Sequence, residues 1–322
     1  MNLVKRLLGL VRKPAVKWLF LAVAVGLAVY AVWSTWDDLV DAAGRLSVAT
    51  LAGSAVLTVA YVLCTLVAWR AVLADLGSPL PGRAAVAVFG VSQIGKYVPG
   101  GVWNVVAAAE LGATHRIPRR RSLAAMAVAV LVSVVSGAVV GTVCLPFVSS
   151  GTLGGWTWAA VAAAVLLAVL LLPPVLTRVI GLAFRLARRE PLEKPLSWRG
   201  LGATALWSVI GWLFAGAQVW VLATGLGLDA TPRTFALAVG GYALAWVVGF
   251  LIILVPAGAG AREGVLLAVM GAAMPHAELL LVALLSRVLM TLVDLGLAGI
   301  GGALARGSRR AVPAAEPRSS QP

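Results

Sequence analysis

An all-α, polytopic membrane fold follows from three features of this sequence. Hydrophobic residues fill 61% of its 322 positions and charged ones only 12%. A water-soluble domain of this length cannot bury that much apolar surface, so part of its solvent is lipid. Apolar runs long enough to cross about 30 Å of hydrocarbon as helices recur along the chain. Between them, basic residues fall in short clusters, the pattern of cytoplasmic membrane loops.

The first run, 16–34, follows Lys5, Arg6, Arg12, Lys13 and Lys17. A basic start before an apolar stretch has the form of a secretory signal. This run is long enough to span, however, and no small-x-small cleavage site precedes WSTWDD. It is read as an uncleaved helix with residues 1–15 cytoplasmic. Runs at 48–69, 122–147, 156–176, 200–224 and 277–302 complete six full transmembrane helices. Two further stretches are broken. One is 84–112, interrupted at Val98-Pro99-Gly100-Gly101; the other is 234–274, interrupted at VPAGAGAREG, residues 255–264.

Charge decides how the broken stretches run. The second helix returns to Arg70 and Arg83 on the inside. A single crossing by 84–112 would put Arg116, Arg119, Arg120 and Arg121 outside, whereas a dip and return keeps them inside. The stretch is therefore predicted to be a re-entrant hairpin. Spans 122–147 and 156–176 then bring Arg178, Arg185, Arg188, Arg189, Lys194 and Arg199 inside, and reading 234–274 as a second hairpin keeps Arg306, Arg309 and Arg310 inside, although 234–255 is long enough to cross fully. Both termini are then cytoplasmic, with residues 16–304 as the membrane domain. ARGSRRAVPAAEPRSSQP, 305–322, is expected to be a disordered tail. Pro99 precedes Pro118, and Pro256 precedes Pro275, by the same 19 residues, with glycines after each first proline. One hairpin from each side suggests an inverted repeat.

Broken backbone inside a membrane leaves N–H and C=O groups that only protein or a water-filled cavity can satisfy. Two breaks therefore imply a polar interior. A helix restarting at Gly101-Val102-Trp103-Asn104 presents its N-terminus as an anion site, with Lys96 adding charge and Asn104 a neutral donor. The competing reading is a Pro/Gly kink packed against a neighbour. Arg262 and Glu263 open the half-helix after the second break, beyond Gly258 and Gly260. Arg287 and Asp294 lie seven residues apart, on one face of the last long helix. Charges at this depth cost a few kcal/mol and face a cavity or one another. Arginine suits a lipid phosphate, with Glu263 or Asp294 as counter-ion in the empty site. Alternatively, Arg262 or Arg287 forms a structural ion pair with Asp294. Glu110, near the end of its half-helix, is placed to snorkel to the interface.

These residues carry a family resemblance. FGVSQIGKYVPGGVWNVVAAAELG, the stretch holding VPAGAGAREG, and ALLSRVLMTLVDLGLAGI resemble the transmembrane region of lysylphosphatidylglycerol synthases, also described as flippase-like. The shared features are Pro99-Gly100-Gly101, the P-x-G-x-G-x-R-E break from Pro256 to Glu263, and Arg287. The resemblance implies translocation of an anionic phospholipid or an isoprenoid-linked sugar across the cell membrane. It implies substrate contacts from Pro99, Gly100, Gly101, Gly258, Gly260, Arg262, Glu263 and Arg287, to which the charge and broken backbone at membrane depth add Lys96, Asn104 and Asp294. The family's bifunctional members add a soluble aminoacyl-transfer domain, and none follows in these 322 residues, so no enzyme activity is expected. Where the family carries an acidic–basic pair on the next helix, this chain reads SLAAMAVAVLVSVVSG. A non-transporting partner of an envelope-synthesis enzyme and an interfacial transferase are the alternatives.

Other chemistries find little support. The net charge of +14 is accounted for by topology, without nucleic acid. Asp37-Asp38-Leu39-Val40-Asp41 has the D-D-x-x-D form that binds magnesium diphosphate, but no second acidic cluster accompanies it, and it reads as a solvated loop. His115, His276, Cys64 and Cys144 make no metal or disulfide pattern, and no cofactor is expected. Trp18, Trp33, Trp36, Trp69, Trp156, Trp158 and Trp198 fall near helix ends, where an aromatic belt belongs.

Overall fold

The computed structural model describes residues 33, 36–97, 103–144, 147, 156–186, 194–252 and 260–310. The expected first span at 16–34 and its basic leader lie outside the described residues. We number the helices α1 (Trp36–Gly44), α2 (Val48–Asp75), α3 (Gly82–Gln93), α4 (Trp103–Ala113), α5 (Arg119–Cys144) and α6 (Trp156–Leu170). They continue as α7 (Pro173–Leu186), α8 (Trp198–Gly225), α9 (Pro232–Leu251), α10 (Ala261–Met270) and α11 (His276–Arg310). A 3₁₀ turn, Ile94–Tyr97, extends α3. Among the described residues there is no strand.

Among the described residues, five helices are long and apolar enough to cross a membrane: α2, α5, α8, α9 and α11. The expected span at 156–176 is not one of them. It divides at Leu171-Leu172 into α6 and α7, because Pro173 and Pro174 cannot continue the hydrogen-bond ladder of α6. In α7, Leu176 and Ile180 turn to the core while Arg178 and Arg185 stay exposed, the division of an interfacial helix. Of the tail expected from residue 305, residues 305–310 continue α11, and the rest lies outside the described residues.

The chain contains two copies of one plan. Ser47 and Ser197 cap the N-termini of α2 and α8 by accepting from the amides of Thr50 and Gly200. Both helices have 28 residues. Both end in a Schellman motif, at Gly77 (φ 86°) and Gly227 (φ 101°), where left-handed backbone suits glycine. The paired bonds are Gly77 N–H to Ala74 O with Ser78 N–H to Leu73 O, and Gly227 N–H to Thr224 O with Leu228 N–H to Ala223 O. Caps, motifs and the starts of α3 and α9 all recur 150 residues apart. A broken hairpin follows each long helix, then a second long helix, α5 or α11.

The copies are inverted. Helices α2 and α8 run antiparallel: Gly225 packs on Thr50, Gly211 on Cys64, and Gly200 on Asp75. Asp75 also accepts from the backbone N–H and hydroxyl of Ser197. Each hairpin's first arm then packs antiparallel on the final long helix of the other copy. In one seam Gly240 meets Cys144, and Gly141 meets Leu244; in the other Gly90 meets Leu297, and Gly301 meets Ala87. Glycine lets these backbones approach closely, which is how helices associate where water supplies no hydrophobic drive.

These registers settle the course of both broken stretches. Arg121 donates to Gly77 O and Ser78 Oγ, so the hairpin that leaves near Gly82 returns to the same face. The turn is tight: a Cβ on Gly95 would strike the backbone of Asn104. Its arms of 12 and 11 residues extend about 16–18 Å each, roughly half the hydrocarbon thickness. The second hairpin leaves near Gly225 and returns near Glu278, which pairs with Arg45 at 2.7 Å beside α2. Although α9 has 20 residues, Val247 near its tip lies opposite Gly137, seven residues before the end of α5. It enters deep and turns back. With Cys64 and Cys144 replaced by alanine, single cysteines at Arg83 and Arg116 are expected to label from one side of sealed vesicles. A cysteine at Asp229 is expected to label only from the other, and labelling of Arg83 and Arg116 from opposite sides would overturn the first hairpin.

The aromatic-belt expectation holds for Trp33, Trp36, Trp158 and Trp198, which are exposed. It fails for Trp69, which is completely buried and tilted against Phe89, with ring centroids 5.5 Å apart. Trp69 lies well inside α2, which continues to Asp75 beyond the expected end at 69. Asp37, Asp38 and Asp41 lie exposed on α1.

Candidate functional site

Two apolar cores are stacked along the helices. One holds Trp69, Leu73, Leu76, Ile117 and Leu201, toward the face of Arg116–Arg121. The other holds Tyr242, Leu222, Leu226, Met274 and Leu279, toward the opposite face. Between them lies a cavity of about 360 Å³, large enough for a small headgroup. The tips of both hairpins reach it, and α11 joins them there.

Charge in the cavity is organised around α11. Asp294 is fully enclosed. Its Oδ2 lies 2.5 Å from Lys96 Nζ and accepts from the Tyr97 hydroxyl at 2.5 Å, so one carboxylate oxygen holds the tip of the first hairpin. Seven residues earlier, Arg287 Nη1 donates to Glu263 Oε1 at 2.6 Å and holds the second hairpin where α10 begins. Gly260, at φ +79°, opens that half-helix. Two pairs from one face of one helix thus fix both tips.

Arg262 is different. No carboxylate lies within ion-pair distance of it among the described residues. Its guanidinium rests on Trp246, 5.4 Å from the ring centroid, against Gly249. Three buried polar groups of the cavity lining, Arg262 Nε, Glu263 Oε2 and Asp294 Oδ1, have no hydrogen-bond partner among the described residues. Buried polar atoms are normally satisfied, which sets these three apart from the surrounding core. Lys96, Arg262 and Arg287 oppose Glu263 and Asp294, which leaves one positive charge in excess.

Lys96, Asn104, Arg262, Glu263, Arg287 and Asp294 therefore line one cavity, as the breaks suggested. Gly260 stands beside it as the cap of α10. Pro99, Gly100, Gly101 and Gly258 lie outside the described residues. The expected pairing of Arg262 or Arg287 with Asp294 is incorrect. Arg287 is engaged by Glu263, and Asp294 takes Lys96, because the first hairpin folds back onto α11 at that level. Glu110 pairs instead with Arg119 at 2.8 Å on the exposed face. The sequence reading missed Tyr97, Tyr61, Tyr242 and Trp246, all on the cavity wall. Tyr97 adjoins Lys96 in sequence and could have been found; the others sit in unbroken apolar runs and gave no signal.

The family model for the lysylphosphatidylglycerol synthase transmembrane region matches residues 18–298. The chain belongs to that family. The match embraces both repeats and every cavity residue described above. No curated protein matches it. Within this lysylphosphatidylglycerol synthase transmembrane-region chain, both charged pairs fall inside the matched residues.

Proposed function

We propose that this membrane protein moves an anionic lipid or lipid-linked saccharide between leaflets, with the headgroup phosphate held in the cavity. The observation that carries the reading is Arg262, a buried cation with no carboxylate partner among the described residues, beside two ion pairs that an anion can open. A phosphate accepts bidentate bonds from Arg262 and Arg287 while Glu263 and Asp294 receive hydroxyl or ammonium donors. Ile94, Trp103, Phe250 and Leu251, around the hairpin tips, expose apolar surface suited to hydrocarbon tails. The inverted copies supply two halves whose rocking would open the site to each side in turn. Under the positive-inside rule, the face of Arg83 and Arg116–Arg121 is cytoplasmic, and the membrane would be the cell membrane. The partner would be the lipid itself, supplied by an envelope-synthesis enzyme; no catalysis is assigned to this chain.

Leaflet exchange in reconstituted vesicles tests this. Fluorescent phosphatidylglycerol and a fluorescent polyprenyl-phosphate sugar, assayed separately, are expected to equilibrate faster with protein than without. Arg287→Ala is expected to slow that exchange roughly tenfold, the loss of one charge-assisted bond. Exchange of neither lipid by wild type would favour a scaffold for a synthesis enzyme and overturn the proposal.

A further inference from the structure

We propose that Asp294 is a proton-binding site, and that an anion entering the cavity takes up one proton with it. The inference rests on the anion-binding reading above. Its ligand is a proton, and its consequence is a coupled energy source.

Three observations on one side chain carry it. Asp294 is completely enclosed, its Oδ1 has no partner among the described residues, and its Oδ2 is shared by Lys96 and Tyr97. Lys96 is the one cation within ion-pair distance of it among the described residues. The Lys96 side chain is a third exposed while Asp294 is enclosed, so of the two partners Lys96 is the one nearer the open cavity. Drawing Lys96 to the phosphate leaves Asp294, on the cavity wall, with the neutral Tyr97 hydroxyl as its one remaining partner among the described residues. A buried carboxylate stripped of its cation takes a proton rather than remain charged. The proton comes from water in the cavity and forms an O–H bond on Asp294, while Lys96 keeps its own proton for the phosphate.

The remaining groups facing Asp294 do not replace Lys96. Tyr61 on α2 and Tyr242 on α9 are phenols, and α3 and α8 contribute the neutral Gln93 and Ser208 to the wall. Arg262 stacks on Trp246, and Arg287, on the same helix, is held by Glu263. Glu263 itself stays partly exposed, at 16%, and keeps water when its partner is drawn away. Only Asp294 is cut off. Because linkage is reciprocal, protonation of Asp294 frees Lys96 and strengthens anion binding by the same factor that the anion strengthens protonation.

Calorimetric titration of the detergent-solubilised protein, in two buffers of different ionisation heat, counts the protons. The probe is dihexanoylphosphatidylglycerol, with inorganic phosphate as a second arm. Wild type near neutral pH is expected to take up about one proton per lipid bound, with affinity falling as much as ~10-fold per unit rise in pH. Asp294→Asn is expected to bind without uptake and without that slope, whereas Glu263→Gln is expected to keep the uptake per bound lipid. Lipid binding by wild type with no proton taken up overturns the inference and leaves the anion reading intact; this arm needs no variant to fold. Uptake retained in Asp294→Asn also overturns it. Failure of wild type to bind lipid overturns the anion reading and this one together. Uptake with inorganic phosphate as well as lipid supports the inference and assigns recognition to the phosphate; uptake with lipid alone supports it and assigns recognition to the whole headgroup.

Discussion

Arg262→Ala is expected to reduce lipid exchange by roughly 10–100-fold while leaving thermal stability near that of wild type. The two halves of this expectation come from the same geometry. Arg262 makes no ion pair among the described residues, so removing it strands no buried carboxylate and avoids the usual penalty for breaking such a pair. What it loses structurally is a stack on Trp246 at a cavity wall, worth about 0.5–2 kcal/mol. What it loses functionally is the charge in excess. A charged hydrogen bond to a phosphate is worth ~1.5–3 kcal/mol, and each 1.4 kcal/mol is about tenfold. Arg262→Lys keeps the charge and loses the planar fork, so an intermediate rate is expected. Initial exchange rates, with melting curves of the same samples, check both halves. A rate equal to wild type in Arg262→Ala would remove this residue from the site.

Gly216→Val is expected to have the largest effect on folding. A Cβ at Gly216 would occupy the space of Val239, meeting both its Cα and its side chain. Backbone cannot rotate away as a side-chain tip can, so α8 and α9 must separate along their whole seam. Overpacking costs ~1–3 kcal/mol in ordinary cores, and a backbone obstacle puts this position at the upper end or beyond. Gly53→Ala provides the contrast. Nothing lies within 4 Å of its Cβ position in the second turn of α2, so alanine is expected to stabilise that helix by up to ~1 kcal/mol. Thermal unfolding in one detergent compares the two. Equal midpoints would mean that the α8–α9 seam is looser than the structure describes.

Composition and charge were sufficient to read the membrane class, four of the long helices and the return of both hairpins. The reason is that burial in lipid and the cost of moving arginine across it act on every residue of a segment. Helix breaks were legible where glycines and prolines cluster, at Pro99 and Pro256, but not at Leu171-Leu172, where a double proline inside an otherwise apolar run was read through. The depth of α9 was beyond the sequence because length says how far a helix can reach, not where it starts. Six cavity-lining residues were legible for a simple reason: charge inside hydrocarbon is costly unless it is used. Their partners were not. Which carboxylate meets which cation depends on how the first hairpin lies on α11, a long-range contact with no local signature. Tyr61 and Tyr242 were invisible because a phenol in an apolar run looks like packing.

The inverted plan has one more consequence. Each copy presses its hairpin against the other copy's last helix, yet the two presses differ in kind. On α11 the contact at mid-length is ionic, through Asp294; on α5 the equivalent seam is Gly137 and Gly141 against Val247 and Leu244, all hydrocarbon. The seam on α5 is thus a fitted hydrocarbon joint, whereas α11 holds both tips by ion pairs, Lys96 with Asp294 and Glu263 with Arg287. A backbone that is the same from above and below has no preferred sense of travel. Under the proposed function, that sense would be set by side chains at a few positions on α11.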